Sequence, residues 1–328
     1  MKVLVTYSGD IGKASTKYRI TQYVDYLRDH GVELDFVPRK KIDRKVIAKL
    51  PAYEVVHNQR SLINLWTSWK MTRKNEQVIF DFDDAIYTRP GEPYSWYLQR
   101  RVGRRLRYWI ESAKVVTTAN HFLADYARQF SSAVRVIPNA VDLKAWMPKA
   151  HPRDGRLRIG WVGAPVNIPN IESLDPVLSA LKQKYPFVQI AIYSGAKPKL
   201  SFAYDYHPFQ PGREPEFVQS IDIGLLPLAE DDFSLGKSPI KAIQYLACGV
   251  AIVGNPMGAT REILNDTNSI SVRSRDDWYD ALELLINDRE RVLSLAKAGR
   301  EFAETHHDLR NTAKQRLEVF AAVASGQV

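Results

Sequence analysis

The stretch from Ile221 to Leu264 constrains the fold of this chain more than any other part of the sequence. Two short apolar runs, 221–228 and 250–254, are typical of strands that are buried on both faces, as in parallel sheets. Each run leads into a glycine-containing loop. The segment 240–248 between them has helical spacing and ends at Gly249. The order of strand, loop and helix, given twice, predicts an α/β protein with a parallel sheet.

The start of the helix near Pro239 is a candidate anion site. Backbone N–H groups at a helix N-terminus point towards a ligand, and the helix dipole favours negative charge there. Lys237 and Lys241 flank this proline, where a lysine opposes the dipole. An anionic ligand such as a phosphate explains their position, and two solvated surface lysines are the alternative.

Longer strings of residues in and near this stretch resemble a known family. KAIQYLACGVAIVGN at 241–255, GATREIL at 258–264 and VIPNAVD at 136–142 resemble motifs of the GT-B glycosyltransferases, specifically the retaining GT4-like group. The resemblance implies an α/β fold of two Rossmann-like domains whose parallel sheets face a central cleft. It also implies transfer of a sugar from a nucleotide diphosphate sugar to an acceptor hydroxyl.

The resemblance implies a donor site in the second half of the chain. Its expected donor-binding residues are Gly163, Asn167, Lys237, Ser238, Pro239, Lys241, Gln244 and Arg261.

The chain departs from the family pattern in two places. The family usually carries two glutamates eight positions apart, where this chain has Gly236 and Gln244. Gln244 still offers a hydrogen bond to a ribose hydroxyl, whereas Gly236 offers only its backbone. The family arginine and lysine of the loop after the strand at 157–162 are also missing, since this chain reads GAPVNIPN. We therefore expect Lys237, Lys241 and Arg261 to contact the phosphates.

Three carboxylates, Asp81, Asp83 and Asp84, end the strand predicted at 77–82. Bringing them together is costly unless a cation or a shared proton offsets their repulsion. The resemblance places Asp84, with Asp83 beside it, next to the reacting sugar, where Asp84 would orient the acceptor hydroxyl or accept its proton. Capping of a turn combined with an ion pair to Arg60 or Arg89 is one alternative.

A metal-binding DxD site is the other reading of these carboxylates. Because the resembled family generally needs no divalent ion, we expect no cofactor and no strict metal requirement. The only expected small molecule is the donor substrate.

The first strand, predicted at 2–7, leads into a glycine loop that is a candidate acceptor-side element. Ligands in open α/β sheets bind at the carboxyl ends of strands. Gly12 lies in this loop, and Arg19 lies in the helix predicted at 17–30. Arg19 is either a contact to a phosphate or an ordinary surface arginine.

The positive charge is unevenly distributed. A formal net charge of +9 calls for an anionic partner. A predicted helix at 99–110 carries five arginines, and aromatic residues precede it at 94–97 and alternate with basic ones at 62–74. These arginines are Arg100, Arg101, Arg104, Arg105 and Arg107. The combination is typical of an element that lies on an anionic membrane, and a solvated helix face is the alternative. No nucleic-acid-binding motif accompanies the charge, so no nucleic-acid partner is expected.

A length of 328 residues with 45% hydrophobic residues favours two globular domains. We predict an N-terminal acceptor domain at 1–148, a linker at 149–156 and a C-terminal donor domain at 156–308. In the resembled family the final helix crosses back, so 309–328 is expected to pack on the first domain. The sequence has no apolar run of about 18 residues and no signal peptide. A cytoplasmic location is expected, with peripheral contact to the inner face of the membrane as an extension.

Three functions therefore remain open. The first is a glycosyltransferase with a glycan or lipid-linked acceptor, in the synthesis of a polysaccharide, a glycolipid or a cell-surface glycan. The departures at Gly236 and at 163–170 leave room for a protein that binds a nucleotide sugar without transferring it. A nucleotide-sugar epimerase of the same fold is the third.

Overall fold

A computed structural model describes residues 1–89, 94–148 and 156–328 of the chain. The strands in this part of the chain are β1 (Lys2–Tyr7), β2 (Glu33–Pro38), β3 (Val55–Gln59), β4 (Val78–Phe82), β5 (Val115–Thr118), β6 (Val134–Val136), β7 (Leu157–Gly163), β8 (Val188–Ser194), β9 (Asp205–Pro208), β10 (Ile223–Leu226), β11 (Ala251–Gly254) and β12 (Ser269–Ser271). The helices are α1 (Ala14–Arg19), α2 (Val24–Asp29), α3 (Arg44–Lys49), α4 (Leu65–Lys74), α5 (Trp96–Ser112), α6 (His121–Arg128), α7 (Ile168–Glu172), α8 (Asp175–Lys184), α9 (Glu214–Val218), α10 (Asp232–Leu235), α11 (Ile240–Ala247), α12 (Arg275–Asn287), α13 (Arg289–His306) and α14 (Leu309–Ser325).

The chain divides into two compact units. The first unit contains Met1–Ala140, Asp231–Ser238 and Leu309–Val328, and the second contains Val141–Glu230 and Pro239–Asp308. The linker predicted at 149–156 falls outside the described residues except for Arg156. None of the helices in the described ranges is long and apolar enough to cross a bilayer.

The first unit is built on a six-stranded parallel sheet in the order β2-β1-β3-β4-β5-β6. Side chains alternate between its faces, as the pleat requires. Val3 and Val5 of β1 pack on one face, and Leu4 packs on the other. Helix α14 covers the first of these faces, where Phe320 is fully buried. Burial on both faces explains why inner strands such as β1 and β4 are largely apolar.

The second unit has a six-stranded parallel sheet of its own, in the order β12-β11-β10-β7-β8-β9. Close packing at two glycines brings the backbone of this sheet near its neighbours. A Cβ atom at Gly224 would lie 2.6 Å from the ring of Tyr245 in α11. A Cβ atom at Gly160 would collide with Ile221. The absence of a side chain at Gly224 lets Tyr245 of α11 lie against β10, and the absence of one at Gly160 of β7 leaves room for Ile221.

Two predicted helices differ in the structure. The helix expected at 17–30 is interrupted at Ile20, whose φ of −145° and ψ of −48° are not helical. It becomes α1, a 3₁₀ turn at Thr21–Tyr23 and α2. The helix expected to open at Arg261 is a 3₁₀ helix, Gly258–Glu262, closed by hydrogen bonds between Met257 and Thr260.

Candidate active-site residues in the two units

Asp81 at the end of β4 is a fully buried ion-pair partner. Its Oδ1 accepts hydrogen bonds from Arg19 Nη2 at 2.5 Å and from Thr117 Oγ1 at 2.6 Å, and its Oδ2 accepts from Arg19 Nε at 3.0 Å. Arg316 of α14 adds a second cation at 3.8 Å. Burial opposes the charge of the Asp81 carboxylate, but Arg19 and Arg316 outweigh it and hold its pKa well below the usual range.

Arg19, expected on the acceptor side, lies in this buried cluster. The side chain is inaccessible to solvent. Its Nη1 donates to the carbonyl of Ile137 at 2.6 Å and to Oδ1 of Asn139 at 3.1 Å, and its remaining donors bind Asp81. Arg19 therefore connects β4 to the chain after β6, and its position differs from the expected contact to a phosphate. Gly12 lies on an exposed turn, where its N–H donates to Asp10 at 2.7 Å.

Asp83 and Asp84 share one cation, Arg60. Nη1 of Arg60 lies 3.0 Å from Oδ2 of Asp84 and 3.4 Å from Oδ1 of Asp83. The side chain of Asp83 is 3% exposed and that of Asp84 is 19% exposed, so only Asp84 is open to an incoming group. Burial, and after it the Asp84 carboxylate, raise the pKa of Asp83 to about 7, although Arg60 opposes the change.

Arg60 has a backbone conformation that L-residues rarely adopt. Its φ is +44°, and it is the one non-glycine residue in the described ranges with a positive φ. The N–H of Arg60 donates to the carbonyl of Asp81 at 2.7 Å, which fixes the turn after β3 against the end of β4. Such strain persists only where surrounding contacts enforce it, and it is common at functional sites. Sequence reasoning considered Arg60 only as an ion-pair partner, and the polar string after β3 was the available signal.

The segment 231–238 packs beside these carboxylates within the first unit. The N–H of Ser238 donates to Oδ1 of Asp84 over 3.4 Å, and Nδ2 of Asn139 donates to Oγ of Ser238. Burial lowers the pKa of Lys237, while the negative charges of Asp84 and Asp231 act in the other direction. Lys237 is thus a partly buried lysine in the electrostatic field of Asp84.

The residues expected to form the anion site near Pro239 belong to different units. The chain passes from the first unit to the second between Ser238 and Pro239. Lys237 and Ser238 lie in the first unit, whereas Pro239 caps the start of α11 in the second and Lys241 lies in its first turn.

The start of α11 meets the end of β7 inside the second unit. Nζ of Lys241 lies 5.2 Å from the ring centroid of Trp161, and a Cβ atom at Gly163 would collide with the same ring. The hydroxyl of Tyr245 accepts a hydrogen bond from the N–H of Val162 at 2.9 Å. The ring of Trp161 thus lies close to both Lys241 and Gly163, the last residue of β7.

The other residues expected in the donor site lie on elements of the same unit. Gln244 is buried in α11, and Asn167 is half-buried in the 3₁₀ helix Pro165–Asn167. Arg261 is exposed, and its Nε donates to the carbonyl of Pro256 at 3.1 Å. Asn255, which sequence reasoning missed, bonds both the N–H and the C=O of Leu228 and so joins the loops after β10 and β11.

The acidic residues of the described ranges form no group suited to a metal ion, since no three of the His, Cys, Asp and Glu side chains there converge. Asp81 is occupied by arginines, which leaves Asp83 and Asp84 beside Arg60. This local chemistry is that of a hydrogen-bonding carboxylate held by a cation.

Comparison with known proteins gives this geometry a context. A family model described as Glycosyl transferase-like matches residues 176–318. A search among curated protein sequences finds no match. Sucrose-phosphate synthase from Thermosynechococcus elongatus is similar in structure with a TM-score of 0.75, at 15% identity over 99% of both chains.

Two further solved structures have the same architecture. HepE from Anabaena in complex with UDP-glucose has a TM-score of 0.70, at 13% identity over 98% of this chain and 100% of that chain. A glycosyltransferase from Rickettsia africae has a TM-score of 0.72, at 11% identity over 98% of each chain. The chain has the GT-B fold, and part of its second half matches the Glycosyl transferase-like model.

The expected fold class is therefore confirmed. One departure from the family pattern also has a physical description. At Gly236, where the resembled group carries a glutamate, a Cβ atom would lie 2.7 Å from Cβ of Ala85 and 3.1 Å from Cδ2 of Leu123. Nδ2 of Asn120 also donates to the Gly236 carbonyl at 3.5 Å. In this protein the space for a side chain at 236 is filled by Ala85 and Leu123.

Proposed function

We propose that this GT-B protein is a retaining glycosyltransferase that transfers a sugar from a UDP-sugar to an acceptor hydroxyl. The observation that carries the proposal is the match of the Glycosyl transferase-like model to 176–318, which includes α11 and the strands on either side of it. HepE, a protein of the same fold, has been crystallised with UDP-glucose, which supports a uridine donor.

The second unit supplies the groups that a diphosphate needs. The first N–H groups of α11 point out of the start of the helix, which carries the positive end of the helix dipole. Lys241 adds a full positive charge one residue into this helix, beside the turn at Gly163. The departing diphosphate would be stabilised there by charge that is already in place. Gln244 would bind the ribose, and Asn167 and Arg261 would contact the phosphates.

The first unit supplies the acceptor-side group. Asp84 is the accessible carboxylate of its pair, and Arg60 holds it in one orientation. In the proposed reaction the bond between the anomeric carbon and the diphosphate oxygen breaks, and a bond to the acceptor oxygen forms on the same face of the sugar. Asp84 orients the acceptor hydroxyl or accepts its proton. The acceptor that we propose is a glycan or a lipid-linked glycan.

The experiment follows the fate of a UDP-sugar in the presence of the pure protein. Release of UDP, isomerisation of the sugar and formation of a glycoside are measured in the same samples, with and without a panel of hydroxyl acceptors. UDP release that rises with an acceptor, together with a product of retained anomeric configuration, supports the proposal.

Other results would assign one of the rival functions. Isomerised sugar without any acceptor would identify an epimerase. Binding of the UDP-sugar with neither release nor isomerisation across the acceptor panel would identify a binding protein. Because Gly236 has no side chain, the distinction between a transferase and a binding protein is the more informative of these two.

A further inference from the structure

A basic pocket lies on the first unit between the start of α4 and the outer face of α5. We call it the α4–α5 pocket, and its volume is about 460 Å³. Arg100, Arg101, Arg104 and Arg105 line one side of it. Four of the five arginines singled out in the sequence therefore converge on a single concave surface.

The fifth arginine of α5 behaves differently. Arg107 lies outside the pocket lining, where its Nε donates to Glu111 at 2.7 Å and its guanidinium lies 5.3 Å from the ring centroid of Phe130. Within the described ranges, no ion pair to a carboxylate is formed by the four pocket arginines. Arg107 therefore has a carboxylate partner on its own helix, whereas the four pocket arginines have none in the described ranges.

The two chain segments that line the pocket carry only basic charges. The segments 61–75 and 94–110 contain eight lysines and arginines and no aspartate or glutamate. Like charges also accumulate: burial, and after it the charges of Arg101 and Arg39, lower the pKa of Arg105. Keeping so many cations together costs free energy, which an anionic ligand would recover.

Exposed aromatic side chains form the other side of the pocket. Trp96 is 71% exposed, and Trp66 and Tyr97 are each 63% exposed. Trp66 stacks on Trp69 with 5.0 Å between ring centroids, and Nζ of Lys70 lies 4.6 Å from the Trp66 ring. Tryptophan and tyrosine beside arginine are enriched where a protein meets the headgroup layer of a membrane.

The apolar stripe of α5 is not available for this contact. Leu106, Trp109 and Ile110 are buried in the core of the first unit. Helix α5 therefore has no apolar face with which to enter a bilayer, and its outward face is the arginine face. Contact with a membrane would rest on the headgroups and on the protruding rings of Trp66, Trp96 and Tyr97.

We propose that the α4–α5 pocket binds the phosphate-bearing headgroups of an anionic lipid bilayer and docks the first unit on that surface. The arginines offer forked donors that match phosphate oxygens, and the aromatic rings insert at the level of the headgroups. Vesicle binding needs no sugar donor, so this proposal stands or falls separately from the proposed glycosyl transfer.

The test is sedimentation of the full chain with vesicles of phosphatidylcholine alone and with vesicles that also contain phosphatidylglycerol. We expect binding to the anionic vesicles only, and a sharp decrease when ionic strength rises from about 0.1 M to about 1 M. The double variant Arg100→Gln with Arg104→Gln should lower the partition coefficient onto anionic vesicles about five-fold for each arginine removed. Trp96→Ala should lower it about ten-fold.

Matched variants separate the pocket from general charge. Arg107→Gln removes a charge from the same helix outside the pocket, and Phe187→Ala removes an exposed aromatic ring from the second unit, 49% exposed. Both should bind anionic vesicles like the wild type.

Three results would overturn the proposal. The first is equal binding to neutral and anionic vesicles, and the second is absence of vesicle binding. The third is a loss of binding in Arg107→Gln as large as the loss for each arginine in the double variant Arg100→Gln with Arg104→Gln. Arginine-dependent binding of a single-stranded oligonucleotide without vesicle binding would assign the pocket to nucleic acid instead.

Discussion

Arg60 donates a hydrogen bond from Nη1 to Oδ2 of Asp84 over 3.0 Å while its own backbone holds a φ of +44°. The strained turn after β3 thus delivers a cation to the carboxylates at the end of β4. Without this cation, Asp83 and Asp84 would repel each other at close range. The position of Arg60 makes it the positioning residue of the acidic pair.

The backbone strain at Arg60 can be measured with two substitutions. Both Arg60→Gly and Arg60→Ala remove the guanidinium, but only glycine adopts a positive φ without steric cost. The glycine variant should be more stable than the alanine variant by roughly 1 kcal/mol in denaturant unfolding. Both should reduce transfer about ten-fold or more, because Asp84 loses its orientation. Equal stabilities of the two variants would refute the strain.

Asp84 should be required for transfer and dispensable for donor binding. Asp84→Asn keeps the shape of the side chain but removes the charge and the proton acceptor, so the transfer rate should fall by about 10²–10⁴-fold. UDP-sugar affinity, measured by titration, should stay unchanged. Asp125→Asn, an exposed aspartate of the same unit paired with Arg128, is the control and should keep full activity. Full turnover by Asp84→Asn would rule out its proposed role.

The close packing at Gly236 predicts a coupled pair. Gly236→Ala places a methyl group against Cβ of Ala85 and should lower the free energy of unfolding by roughly 1–3 kcal/mol. The double variant Gly236→Ala with Ala85→Gly should lose less free energy of unfolding than the sum of the losses in the two single variants. Gly103→Ala is the control, since a Cβ atom there meets nothing within 4 Å, and it should be neutral or stabilising by up to about 1 kcal/mol. Additive losses in urea unfolding would contradict the proposed contact.

The raised pKa of Asp83 predicts that the stability of the protein depends on pH. Its pKa of about 7 in the folded protein exceeds that of an aspartate in the unfolded chain, so the folded state binds the additional proton between these values. Stability from this group is therefore present at low pH and is lost as pH rises from about 4 to about 7.

Urea unfolding at a series of pH values tests this sign. The free energy of unfolding of the wild type, minus that of Asp83→Asn, should fall by at most about 4 kcal/mol across the window. Burial lowers the pKa of His57 to about 4, which acts in the opposite direction, but His57 is present in both proteins and cancels from the difference. A flat difference would mean that Asp83 is ionised throughout.

The regular elements were predictable because they depend on local pattern. The buried runs at 2–7 and 250–254 became β1 and β11 to within a residue, and the glycine at 249 ends α11 as expected. The α/β class followed from the same patterns and the GT-B fold from the family resemblance, and both are confirmed by the two parallel sheets and the similar solved structures. Such signals survive because burial on both faces of a strand leaves few alternatives.

The long-range ion pairs of the first unit could not be predicted from the sequence. Arg19 lies 62 residues from its partner Asp81, and Arg316 reaches the same carboxylate from the last helix. Nothing local distinguishes these two arginines from surface residues. The assignment of Lys237 and Lys241 to different units likewise depends on where the chain passes between units, which the five residues 237–241 do not reveal.

Binding of a nucleoside diphosphate at the start of α11 can be measured by calorimetric titration of UDP. The wild type should bind UDP, and Lys241→Gln should bind it about ten-fold more weakly, because a charge-assisted contact to the diphosphate is lost. Lys297→Gln, an exposed lysine of the same unit, should match the wild type. Absence of UDP binding by the wild type, or an unchanged affinity of Lys241→Gln, would contradict the account.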